Sequence, residues 1–163
     1  VVREFSSDDV LAAVEVRGAL EGLAARRLAE RGLDNSVRAA LQACIDAGEA
    51  VLSKGRLLED DIARWAALNT RFHGAIVDAQ PSRVIADALA RNNHLPFASA
   101  DSITVRRDAL DREYEKLRFA QMQHRLVFDA LLAREGARVE ALMREHANIG
   151  VRYGALFGLE AVR

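Results

Sequence analysis

The pattern of this chain calls for an all-α fold, on three grounds. Apolar residues recur at steps of three and four through every long segment, and Ala, Leu, Arg and Glu dominate the composition. With two prolines in 163 residues, no Asn-Gly or Asp-Gly pair and few alternating β-branched runs, little is left from which to build a sheet. The length suits one domain spanning residues 1–163, with a core of useful size.

The elements follow in order. Ser7 or Asp8 caps a first helix that reaches Arg31, where Gly32 stops it. A second, capped between Asp34 and Ser36, runs to Lys54 ahead of Gly55. Glu59, Asp60 and Asp61 open a third helix beside its positive end, and Pro81 ends it near Gln80. A shorter fourth helix spans about Ser82 to Asn93. The irregular stretch from His94 to Ser99 is the expected loop over a pocket. Helical pattern resumes at Ile103, strengthens after Asp111 and continues to Glu135, with Gly136 as terminator. The last helix covers about Ala137 to Phe157. Six or seven helices with short connections and one apolar stripe each imply an antiparallel bundle, with any metal and ligand cavity in its interior.

Three of the four histidines sit in the middle of such stripes. His73 lies among Trp65, Leu68, Asn69, Phe72 and Ile76. His124 lies among Leu117, Ala120, Gln121, Val127, Phe128 and Leu131, and His146 among Val139, Leu142, Met143, Ile149 and Tyr153. A buried neutral imidazole needs a partner for both nitrogens, or its burial costs roughly 1–3 kcal/mol. Each ring alone is satisfied by a core hydrogen bond. Three together, with Asn69 one turn before His73, suggest four donors, Asn69, His73, His124 and His146, around one divalent transition metal. Zinc, nickel, cobalt and iron suit imidazole, whereas calcium and magnesium prefer oxygen. No contiguous motif as specific as HExxH is present.

Arg17 is the other residue of note, because the first stripe, Val10, Val14, Arg17, Glu21, Ala24 and Leu28, sets an arginine among apolar neighbours. Read from the residues alone it is an i to i+4 partner of Glu21 or a snorkelling surface side chain, with carboxylate binding as the alternative. His94 reads as a surface or pocket-rim residue. Cys44 reads as a core residue without chemistry, in a reducing compartment. Arg26 with Arg27, and Arg106 with Arg107, read as solvated faces.

Charge and hydropathy exclude several classes. A formal net charge of −1, with both signs mixed throughout, offers no broad basic surface for nucleic acid. No apolar run approaches the length of a membrane span, and the amino terminus does not resemble an export signal. A cytoplasmic location is expected. The chain opens Val1, Val2, which reads as a piece of something longer.

Three separated segments carry a family resemblance: VRGALEGLAARRLA at Val16–Ala29, LNTRFHGAIVDA at Leu68–Ala79, and QHRLVFDALLAREGARVEALMREH at Gln123–His146. Together they resemble the effector-binding (FCD) domain of the FadR-type branch of the GntR transcription regulators. The resemblance implies an all-helical, homodimeric domain with a metal held by Asp or Asn and three histidines beside a cavity for a small organic acid. Carried over, the ligands are Asn69, His73, His124 and His146, and Arg17 matches the family's cavity-facing arginine. Asn69 stands where many members have aspartate, so the ligand set is formally neutral and holds its cation less tightly. The segment LPFAS from Leu95 resembles members that sense aromatic acids.

In such regulators a winged helix-turn-helix domain precedes this one, and no part of it is found here, so DNA is expected as a partner only through that missing domain. The implied mechanism is linkage. The effector's carboxylate completes the metal's open positions and pairs with Arg17, favouring one arrangement of the dimer and changing DNA binding, with derepression as the expected output. Two rivals stand beside this reading: a structural dimerisation bundle with hydrogen-bonded histidines, and a non-haem metalloenzyme. The enzyme reading is weakened by the absence of a carboxylate ligand and by Glu145, which points off the stripe.

Overall fold

A computed structural model describes residues 6–95 and 105–157, and among these the fold is all-α. Six α-helices are present: α1 (Ser7–Arg31), α2 (Asn35–Leu52), α3 (Glu59–Asp78), α4 (Val84–Asn92), α5 (Leu110–Leu132) and α6 (Gly136–His146). Short 3₁₀ segments lie at Arg107–Ala109, Ala147–Gly150 and Gly154–Phe157. The pocket-loop expectation falls mainly on residues 96–99, outside the described set, while His94 is exposed.

The helix ends follow local chemistry. Ser6 and Asp9 form a reciprocal capping box at the start of α1, and Gly32, at φ 91°, closes its other end. Asp34 caps α2 by accepting from the Val37 backbone N–H at 2.8 Å. Asp61, almost wholly buried, accepts from the Leu58 N–H at 2.9 Å and from the Lys54 ammonium at 2.6 Å, tying the start of α3 to the end of α2. α3 ends at Asp78 rather than Gln80, whose side chain instead donates to the Ala24 carbonyl at 2.9 Å.

Other boundaries also differ from the sequence reading, and α5 begins at Leu110, later than the pattern suggested. Gly136 does not terminate α5: that helix ends at Leu132, and Arg134 takes the positive-φ position at 59°. Gly136 opens α6 instead, where a Cβ would stand 3.2 Å from Glu30 Cγ and 3.3 Å from Arg26 Cγ. Its missing side chain permits close approach to α1 rather than an unusual φ. The last α-helix also stops at His146, well short of Phe157. Beyond it the Ala147 carbonyl accepts from Arg17 Nη2 at 2.9 Å, and the chain tightens into a 3₁₀ turn.

α1 makes its most extensive contacts with α6, α2 packs on α3 and α5, and α4 lies against α1. The α1–α6 contact is close because Gly18 and Gly22 share one face of α1. A Cβ on Gly22 would lie 3.0 Å from the Glu140 carbonyl oxygen, and one on Gly18 would lie 3.1 Å from Ala147 Cβ. Two apolar clusters fill the interior. One gathers Leu28, Leu41, Phe72, Leu131 and Met143, and the other gathers Trp65, Leu68, Leu117 and Ile149. Cys44 is buried in the first, and burial pushes its thiol pKa up. Among the described residues no helix is long and apolar enough to cross a membrane.

Candidate metal centre

The three stripe histidines meet. His73 arrives from the middle of α3, His124 from α5 and His146 from the last residue of α6, and all three are at least nine-tenths buried. They offer ring nitrogens that all fall within 4.8 Å of one another. His146 Nε2 lies 3.2 Å from His73 Nε2 and 3.1 Å from His124 Nε2. Asn69, one turn before His73 on the same face of α3, is 1% exposed.

Packing fixes the rings. Phe72 stacks on His124 at a centroid distance of 4.2 Å, and Trp65 lies nearly parallel to the same ring at 5.9 Å. Phe72 and Trp65 belong to different apolar clusters, so His124 sits where the two join. His146 Nδ1 contacts Gln123 Oε1 at 2.8 Å. His73 Nδ1 lies 3.1 Å from Glu21 Oε2, a short contact that departs from the line of the ring N–H and leaves both atoms without a well-formed hydrogen bond.

Burial governs the electrostatics. It holds His124 well below the ordinary histidine value, and the neighbouring His73 is a second, smaller cause in the same direction. His146 is held down in the same way by burial, then by His124, His73 and Arg17. Burial pushes the Glu21 carboxyl up, but His73 and the Arg17 guanidinium outweigh it, so the net direction is down and Glu21 is ionised.

These facts test the donor set for a cation. A neutral imidazole nitrogen carries one hydrogen or one in-plane lone pair. His146 Nδ1 faces an oxygen that can only accept, a contact that favours hydrogen on Nδ1 and a bare Nε2. One bare nitrogen cannot satisfy by hydrogen bonding two others that approach to 3.1 and 3.2 Å. Nitrogens bound about 2.0–2.1 Å from a common ion lie roughly 2.9–3.4 Å apart at right-angled to tetrahedral spacing. Both contacts fall in that range, and three buried histidines of this kind can hold a metal ion.

Arg17 is buried beside this group. Its Nη2 is taken by the Ala147 carbonyl, next to His146, and its Nε stands 3.9 Å from Glu21 Oε2 with no hydrogen-bond partner. It is no snorkelling surface residue; it is the i to i+4 partner of Glu21, and it links α1 to the end of α6. A cleft of about 300 Å³ lies between α3 and α4. Its lining runs from exposed Arg83 and Asn93 through Leu89 to buried His73 and Glu21.

Residues 12–148 match the family described as the FCD domain. The chain belongs to the FCD family. FCD domains are the effector-binding domains of GntR-type regulators, a regulatory class. No curated protein matches the chain.

Two residues at the centre were missed in the sequence, Gln123 and, as a partner of the histidines, Glu21. Glu21 left a signal, a carboxylate on a core-facing stripe. Gln123 left none, since it precedes His124 directly and lies off that stripe.

Proposed function

We propose that this chain is the sensor domain of a dimeric, cytoplasmic regulator of the FadR type, binding a divalent transition metal and, beside it, a small organic acid. The observation that carries the reading is the pair of short Nε2 contacts converging on His146. His73, His124 and His146 would hold the ion, with Asn69 as the fourth donor from the turn before His73. Zinc, nickel, cobalt and iron all suit this imidazole set. When bound, the metal supplies a fixed positive charge in the interior.

The chain's own residues divide the remaining work. The cleft, at the small end of ligand pockets, admits a compact acid and excludes bulky ones. Arg83 is an exposed cation of its lining, which also holds the carboxylates of Asp78 and Glu21. Arg17, with its Nε free of a hydrogen-bond partner, offers a donor to a carboxylate. Because Arg17 bonds the Ala147 carbonyl, an acid that pulls on the guanidinium alters the contact between α1 and the end of α6. An acid that prefers one setting of that contact shifts the dimer toward it, and a preceding winged helix-turn-helix domain would carry the change to DNA. Derepression is the proposed output.

Thermal-shift titration with carboxylic acids, aromatic ones included, tests this. In zinc- or nickel-replete buffer one class of acid raises the melting temperature in proportion to the logarithm of its concentration, and chelator abolishes the effect. An acid response that survives both chelator and the Arg17→Gln substitution would refute the site.

A further inference from the structure

Glu21 and Gln123 come from different helices, yet each touches the far nitrogen of a histidine whose Nε2 faces the centre. Gln123 Oε1 accepts from His146 Nδ1 at 2.8 Å, and Glu21 Oε2 lies 3.1 Å from His73 Nδ1. Both oxygens are acceptors only, so each favours hydrogen on Nδ1 and leaves Nε2 with its lone pair exposed to the centre. Both residues are buried, Glu21 at 4% and Gln123 at 6% exposure, so water does not substitute for them.

We infer that Glu21 and Gln123 are positioning residues for the metal centre, Glu21 acting through His73 and Gln123 through His146, and that Glu21 sets beside the ligand set the carboxylate that Asn69 does not provide. This rests on the metal-binding reading above. A carboxylate against a ligating imidazole orients the ring and raises its basicity. With three imidazoles and an amide as donors, no carboxylate stands in the proposed ligand set, and Glu21 is the carboxylate in contact with one of its rings.

Arg17 fits the same scheme. Its Nε stands 3.9 Å from the Glu21 oxygen that faces His73, so Arg17, Glu21 and His73 form a relay from the end of α6 to the centre.

Zinc affinity measured by chelator competition tests the inference, read beside the ring tautomers seen by long-range ¹H–¹⁵N NMR on metal-free protein. Glu21→Gln and Gln123→Leu are each expected to weaken zinc binding about 10- to 100-fold with unchanged helical circular dichroism, and Gln123→Glu, which keeps an acceptor, to stay within about threefold of the unaltered chain or bind more tightly. In the unaltered chain His73 and His146 are expected as Nδ1–H tautomers, with the ring facing each substituted residue losing that preference. Zinc affinities of both variants within about threefold of the unaltered chain would overturn the positioning role while leaving the metal reading intact. An unaltered chain that binds no zinc would overturn the metal reading itself. Should a variant fail to fold, the tautomers of the unaltered chain decide: Nε2–H rings at His73 and His146 would overturn the inference.

Discussion

His73 Nε2 and His146 Nε2 stand 3.2 Å apart, although the two residues belong to α3 and to the last position of α6. The closeness depends on α6 lying tight against α1, where Gly22 leaves 3.0 Å between a would-be Cβ and the Glu140 carbonyl. Backbone cannot yield there as a flexible side chain would.

Gly22→Ala is therefore expected to destabilise the fold by about 1–3 kcal/mol in chemical denaturation, as overpacking does, and to weaken metal binding by displacing His146. Gly74→Ala is the contrast. The nearest atom to its would-be Cβ is Asp78 Oδ2 at 3.8 Å, so the methyl fits, and removing a helical glycine should stabilise by about 0.5–1 kcal/mol. Equal losses at both positions would contradict the close α1–α6 packing.

Acid should destabilise the metal-free protein. His124 and His146 have pKa values held well below 6.5 by burial, so near neutral pH neither state carries the extra proton. As the pH falls through 6.5, the unfolded chain binds protons that the folded chain refuses. Stability fully present above about pH 6.5 then falls by up to about 1.4 kcal/mol per pH unit for each group, until the folded-state values are reached. Glu21, lowered from 4.5, adds a further loss below that value. Urea unfolding at a series of pH values with chelator present measures the slope; a flat profile between pH 7 and 5.5 would contradict burial of the two rings.

How much of this was legible in advance depended on the kind of signal. Periodicity exposed the helices and the inward aim of His73, His124 and His146, because a residue in the middle of a stripe has nowhere else to point. It did not expose where α6 ends. The Ala147 carbonyl is claimed by Arg17, a residue 130 positions away, and no local pattern reports such a contact. Gly136 looked like a helix stop because glycine usually serves that role, whereas here Arg134 takes the positive φ and the glycine makes room for Glu30 and Arg26. The i to i+4 spacing from His73 pointed to Asn69, which is buried on the same face of α3; Gln123, which meets His146 across two helices, left no such signal.

Phe72→Ala should cost more than a comparable core truncation. Phe72 is wholly buried and stacks on His124 at 4.2 Å, so its loss both opens a cavity and frees the ring. A destabilisation of about 3–5 kcal/mol is expected, together with weaker zinc binding. Loss of stability with undiminished zinc affinity would show that His124 is held by something else.

Arg17→Met tests the link between acid and metal. The substitution keeps the apolar stem and removes the guanidinium, so helical content should persist while the carboxylate-induced rise in melting temperature disappears. A response equal to that of the unaltered chain would remove Arg17 from the effector site.

The most direct test is the metal content of protein purified without chelator, set beside a chain carrying both His73→Ala and His124→Ala. The account expects about one zinc, nickel, cobalt or iron per chain in the first and none in the second, with added metal at a hundred times its Kd stabilising only the first, by about 2.7 kcal/mol. A metal-free unaltered chain whose melting temperature does not move on adding zinc or nickel would contradict it.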